Sequence, residues 1–170
     1  GLTVNYRIQN ISPNWTFPFG TDWLGRNMLS RTIKGLSLSF GVGVLAASVS
    51  AVIALIFSLL ASLNQKIDAV IMGLVDLFLG VPHIVSIILI SFSFGGGFKG
   101  VVFGIALTHW PSLTRLLRAE VLQLKNTEYV AVSKKLGKSS LWIMTQHYLP
   151  HLLPQLFVGF VLLFPHAILH

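Results

Sequence analysis

Charged side chains make up only 10% of this chain, so the few polar groups set in apolar surroundings are the ones with chemistry to explain. Histidine is the most conspicuous. His83, His109, His147, His151, His166 and His170 offer imidazole nitrogens, favoured donors for nickel and its neighbouring divalent metals. His166 and His170 are four residues apart, so a helix there puts both on one face and makes them candidate metal ligands. The plainer alternative is that each hydrogen-bonds a neighbouring helix. Asp76 is the single carboxylate between Ala69 and Phe94. A carboxylate inside a membrane is costly and is a functional candidate by default, as an ion relay or ligand contact. Its distance from Lys66, between two and three turns at 3.6 residues per turn, favours instead a place at the interface or the cap of a helix broken near Pro82. No cysteine is present, which removes disulfides and thiolate metal sites. No phosphate-cradling G-x-x-x-x-G-K-[ST] loop occurs, so the chain is not expected to hydrolyse ATP, and no cofactor is expected.

The elements that must carry these groups are membrane helices. Hydrophobic residues are 54% of the chain and its mean hydropathy is +0.77, which predicts an integral membrane, all-α bundle. The net charge of +7 does not point to nucleic acid, because the basic residues gather at segment ends and in one loop, as the positive-inside rule expects. Residues 1–34 form an irregular polar stretch outside the bundle, with Asp22 as a helix N-cap and Arg26 and Arg31 solvated. Segments near 36–63, 69–94, 100–117 and 151–170 are expected as the crossings. The first carries no charge over more than the ~20 residues that span a bilayer core. Its small-residue face, Gly41, Gly43, Ala46, Ala47, Ser48, Ser50, Ala51 and Ala54, favours close helix packing. Pro82 should kink or break the second. The chain begins at Gly1 and stops at His170 inside an apolar run, and is expected to be a piece of a longer one.

The longest polar interval, residues 119–150, connects the last two crossings. Within Glu128–Pro150, Tyr129, Val132, Leu136, Ser140 and Ile143 recur at helical spacing, lysines Lys134, Lys135 and Lys138 fill the other face, and Gly137 marks a break. Two short helices projecting from the membrane are expected. This interval resembles the cytoplasmic signature loop of ATP-binding-cassette importer permeases, in the form used by the dipeptide, oligopeptide and nickel group. Glu128, Tyr129, Val130, Leu136, Gly137, His147, Leu149 and Pro150 match, while Val132, Ser133 and Lys134 replace two alanines and an arginine. The segment Phe19–Arg31 resembles the same family's P-F-G-T-D-x-L-G-R stretch, with Asn27 in place of an aspartate. Asp76, Leu79 and Pro82 resemble its D-x-x-L-x-x-P signature, and the likeness continues through residues 108–130 and 155–170.

The resemblance implies a type I importer permease fold and a C-type subunit, the middle of a bundle of roughly six helices missing its first and last. Implied partners are a second permease subunit in a heterodimer, two ATP-binding-cassette ATPase subunits, an extracytoplasmic solute-binding protein and the lipid bilayer. Alternating access would be driven by ATP, with Glu128–Pro150 as the coupling element. Arg115, Arg118, Lys125, Lys134, Lys135 and Lys138 send that loop to the cytoplasm and the N-terminal stretch outside, although Arg7, Arg26, Arg31 and Lys34 there run against the rule. The segments VPHI and LLFPHAILH look most like nickel-type permeases, which implies nickel or a nickel chelate as solute, with metal selection lying mainly in the binding protein. The alternatives are a dipeptide or oligopeptide importer of the same family, and an ion-coupled carrier in which Asp76 and the histidines relay protons.

Overall fold

The computed structural model describes residues 1–169. Apart from one isolated bridge between Thr21 and Asn27, the regular structure among them is helical. The chain divides into two compact units, Gly1–Gly41 and the residues from Val42 onward.

In the first unit a short 3-10 turn, Tyr6–Ile8, precedes a knot of turns closed by Asp22. Asp22 is not the helix cap that its place in the sequence suggested. Its buried carboxylate accepts from the backbone of Leu24 and Arg26 at 3.0 and 2.8 Å, from Arg26 Nε at 2.8 Å and from Arg31 Nη1 at 2.5 Å. Arg26 and Arg31 are therefore paired rather than solvated. The cap is Asn27, whose Oδ1 accepts from Leu29 N at 3.0 Å and Ser30 N at 3.4 Å. Helix α1 consequently starts at Met28, earlier than the uncharged run alone indicates, and extends to Ala61.

Beyond α1 the chain forms α2 (Gln65–Gly80), α3 (His83–Ser93), α4 (Gly97–Lys125), α5 (Glu128–Lys135), α6 (Ser140–Ile143) and α7 (Leu149–Leu169). The interval 69–94 is not one helix, since α2 and α3 are bent by 99° at Val81–Pro82. Proline disfavours helical backbone in the residue before it, and Val81 is extended at φ −92°, ψ 138°. Nor does the helix after Gly97 end at residue 117. Leu117, Val121 and Leu124 continue its buried stripe at helical spacing, so α4 absorbs the start of the expected loop.

Helix α4 is the element on which the second unit is built, with α2, α3 and α7 packed against it. Small residues make the approach possible. Ala46, Ala47, Ser50, Ala51 and Ala54 of α1 are buried, and the stripe runs on to Ser58 and Ala61. Ser50 Oγ donates to Ala106 O at 2.7 Å, tying α1 to α4. A Cβ at Gly100 would lie 2.6 Å from the backbone oxygen of Ser91, so α3 and α4 meet there without room for a side chain. Trp110 fills the space between helices, edge-on to Phe57 at 4.9 Å and to Phe78 at 5.3 Å between centroids.

Met28–Ala61 and Ser140–Leu169 are each long and apolar enough to cross a membrane, and α2 with α3 make a third if the bent pair is one span. The second of these runs is continuous through α6, a π turn at Met144–Tyr148 and α7. The expected second short helix is thus the beginning of the last long one.

Candidate functional site

Among the described residues, accessible space and polar side chains come together at the α5 layer and at a cavity walled by α3, α4 and α7.

Helix α5 opens on Glu128, and its backbone turns at Gly137, whose φ of 79° is the left-handed conformation that glycine tolerates best. Val130 is fully buried in a cluster with Val121, Leu124, Ile143 and Tyr148. Ser133 beside it shares a 2.7 Å hydrogen bond with His147 Nε2. The ring of His147 lies edge-on between Tyr129 at 4.9 Å and Trp142 at 5.3 Å, so it fastens α5 to the π turn. Lys138 Nζ stands 4.8 Å from the Trp142 centroid, within cation–π range. Tyr129, Val132, Lys134, Lys135 and Leu136 are exposed. Leu149 and Pro150 begin α7. The π turn has a local cause: Pro150 offers no N–H and its ring crowds the carbonyl four residues back, and Leu149 N–H reaches Met144 O instead, five back.

Behind α5 is a cavity of about 340 Å³ whose walls include Asn64, Asp68, Arg118, Lys125, Lys134 and Tyr148. Arg118 donates from Nε and Nη2 to the two carboxylate oxygens of Asp68 at 2.6 and 2.7 Å, a bidentate pair joining α2 to α4. Burial pushes the Lys125 ammonium below the usual lysine range, and the nearby positive charge of Lys134 adds to this, against the opposing pull of Asp68. Asp76 is not a helix cap; it lies within α2, exposed and ion-paired with Arg115 of α4. Its carboxylate is compensated by a partner 39 residues on, which the local sequence could not reveal.

The other cavity, about 670 Å³, is lined by Ile84, Leu113, Leu116, Leu162 and Leu163 together with His83, His109 and His166. The three imidazoles come from three helices. One ring nitrogen from each lies within 4.8 Å of the others, and His83 Nε2 and His109 Nε2 are 3.3 Å apart. His109 is buried, with its Nδ1 at 2.8 Å from Ile105 O. The expected pairing of His166 with His170 falls on a residue outside those described; His166 itself faces His83 and His109 of other helices. His83 and His109 were readable only as isolated intramembrane histidines. A shared signal was nonetheless present, since all three stand within two residues of a proline, Pro82, Pro111 or Pro165.

Comparison with known proteins adds the context. Residues 52–170 match the family described as binding-protein-dependent transport system inner membrane component. The chain is 34% identical over 161 residues to the dipeptide transport system permease protein DppC of Bacillus subtilis, covering 94% of this chain and 50% of that protein. It is 31% identical over 167 residues to a provisionally named peptide permease protein of Brucella abortus, covering 98% and 55%. A provisionally named peptide transport system permease protein of Brucella suis is 32% identical over 167 residues, covering 98% and 56%. The chain thus spans about half the length of the curated relatives it matches.

Proposed function

This chain belongs to the family of binding-protein-dependent transport system inner membrane components and is a multi-pass inner-membrane protein; from that premise we propose that it is part of the permease subunit of an ATP-driven peptide importer. The observation that carries the mechanism is α5, a helix that keeps its polar and apolar outer face exposed while Val130, Ser133 and the His147 clasp bind it to α4 and the last helix. An element with one face anchored in the bundle and the other open is suited to receive a push. ATP-dependent closure of two ATPase subunits beneath it would displace α5, and α5 would carry α4 and α7 with it. A second permease subunit would complete the path, and an extracytoplasmic binding protein would deliver the solute.

For the solute, the names of the reported relatives speak for peptides. The nickel reading drawn from local segment likeness lacks such support, and the peptide alternative replaces it. The apolar cavity with three imidazoles is within the size range of small-ligand sites and could admit the ends and side chains of a short peptide. Uptake of labelled dipeptides and of nickel, assayed in vesicles holding the complete transporter with and without internal ATP, tests both points. Peptide uptake that requires ATP is expected. Nickel uptake without peptide uptake would restore the metal reading, and gradient-driven uptake without ATP would return the chain to the ion-coupled carriers.

A further inference from the structure

The three histidines on the larger cavity are not needed to explain a coupling helix or a peptide path, and their arrangement has a chemistry of its own. We propose that His83, His109 and His166 form a binding site for one divalent transition-metal ion of the zinc, cobalt and nickel type, and that the bound ion pins α3, α4 and α7 together.

The first support is distance. Two imidazole nitrogens, each about 2.0–2.1 Å from a tetrahedral ion, are about 3.3–3.4 Å from one another. His83 Nε2 and His109 Nε2 stand 3.3 Å apart, a hydrogen-bond distance that is also the edge of such a tetrahedron, so the ion takes the place of the proton that they share. All three ligand atoms lie within 4.8 Å, so the third nitrogen closes on the ion by roughly an ångström or so. His166 is the exposed member of the three, and its side chain has the freedom to make that movement.

The second support is the proton on His109. A carbonyl oxygen only accepts, so the 2.8 Å contact with Ile105 O puts the hydrogen on Nδ1 and, in the neutral ring, leaves the lone pair on Nε2. That is the outer-sphere bond by which proteins orient a metal-ligating histidine. Three nitrogen ligands leave a further coordination position, and the cavity gives it room. Three neutral ligands do not cancel the charge of a divalent ion, so an anion from solution is expected there, and the site holds the ion reversibly.

Pinning follows from where the ligands sit. His83 is the first residue of α3, directly after the 99° bend, while His109 is midway along α4 and His166 is near the end of α7. An ion joining them fixes the bend and the walls of the cavity, and a transporter that must rearrange those walls is arrested. The inference stands apart from the identity of the solute.

The test uses the full-length chain in its assembled transporter, in nanodiscs. Titration with Co²⁺ should produce the intense visible absorption of a tetrahedral site at one ion per copy of this chain. His83→Gln and His166→Gln should each weaken Co²⁺ binding at least tenfold, whereas His151→Gln, outside the cluster, should leave it unchanged. Because His109 is buried, the variants at His83 and His166 carry the test. Zinc should inhibit the ATPase cycle of the wild type and have little effect on the His83→Gln/His166→Gln double variant. No tetrahedral Co²⁺ band, or one undiminished in the double variant, overturns the site. A saturated site with an unaffected cycle, or ATP-dependent accumulation of the metal itself, overturns the pin.

Discussion

At the scale of single residues, the ion pairs differ in what they contribute. Asp22 is buried, which alone raises its pKa, but hydrogen bonds from Arg26 and Leu24 and the Arg26 charge outweigh that and hold the carboxyl below its usual range. A depressed carboxylate stabilises the fold fully above its unfolded value, near 3.9, and loses that contribution as pH falls through the folded value. Protection from hydrogen exchange across residues 1–41, relative to the intrinsic rate at each pH, should therefore fall below about pH 4 in the wild type, whereas Asp22→Asn should be less protected at neutral pH and respond less to acid. Asp68 and Asp76 offer a second comparison. The Asp68–Arg118 pair is bidentate and about one-quarter exposed, while Asp76 is 67% exposed against an Arg115 that is 52% exposed. Asp76→Asn should cost under about 1 kcal/mol and Asp68→Asn visibly more, in thermal unfolding of the detergent-purified protein; equal losses would mean that bidentate geometry is irrelevant here. Both aspartates were plain in the sequence, but their partners were not. Arg118 is 50 residues from Asp68, and pairing over such a distance depends on how helices cross. The histidine cluster was hidden for the same reason, since it is assembled by the bend at Pro82 and by the passage of α7 beside α4.

At the scale of elements, local signals located breaks better than they located ends. Pro82 and Gly137 act through backbone restrictions of their own, so each can be read one residue at a time. The C-terminal end of α4 depends on burial supplied by other helices, and the uncharged run stops short of it at Thr114. Glycines divide in the same way. Gly73 has open space where a Cβ would stand, while at Gly100 a Cβ would be 2.6 Å from a main-chain oxygen. Gly73→Ala should be neutral or stabilise α2 by up to about 1 kcal/mol, and Gly100→Ala should destabilise by about 1–3 kcal/mol. Thermal unfolding of the pair checks it, and equal effects would show that α3 and α4 can move apart at no cost. Gly137→Val meets no neighbour but must hold a positive φ, at about 1–2 kcal/mol. Its signature should be loss of the α5–α6 turn, read by faster exchange at residues 136–139, with α4 unchanged.

At the scale of the whole molecule, membership of a membrane-transport family and the helical class were legible from hydropathy and spaced motifs, while the solute was not, because nothing in a local segment says what a cavity built from three helices will hold. If α5 is the surface on which the ATPase subunits close, charge reversal at Lys134 and Lys135 should reduce stimulated ATP hydrolysis severalfold and leave membrane abundance unchanged. Both side chains are exposed and neither belongs to the buried cluster, so an unaltered rate would make them ordinary solvated lysines. The π turn at Met144–Tyr148 sets a further condition on the whole. Such a turn holds one residue more than an α-helix needs, and one residue is an angular step of about 100°. The last long helix therefore behaves as two shafts joined with a fixed phase: α6, bearing Trp142 and Ile143 toward α5, and α7, bearing Leu152 and Gly159 toward α4. Deleting a residue inside the turn would leave both shafts helical, yet rotate one face away from its mate.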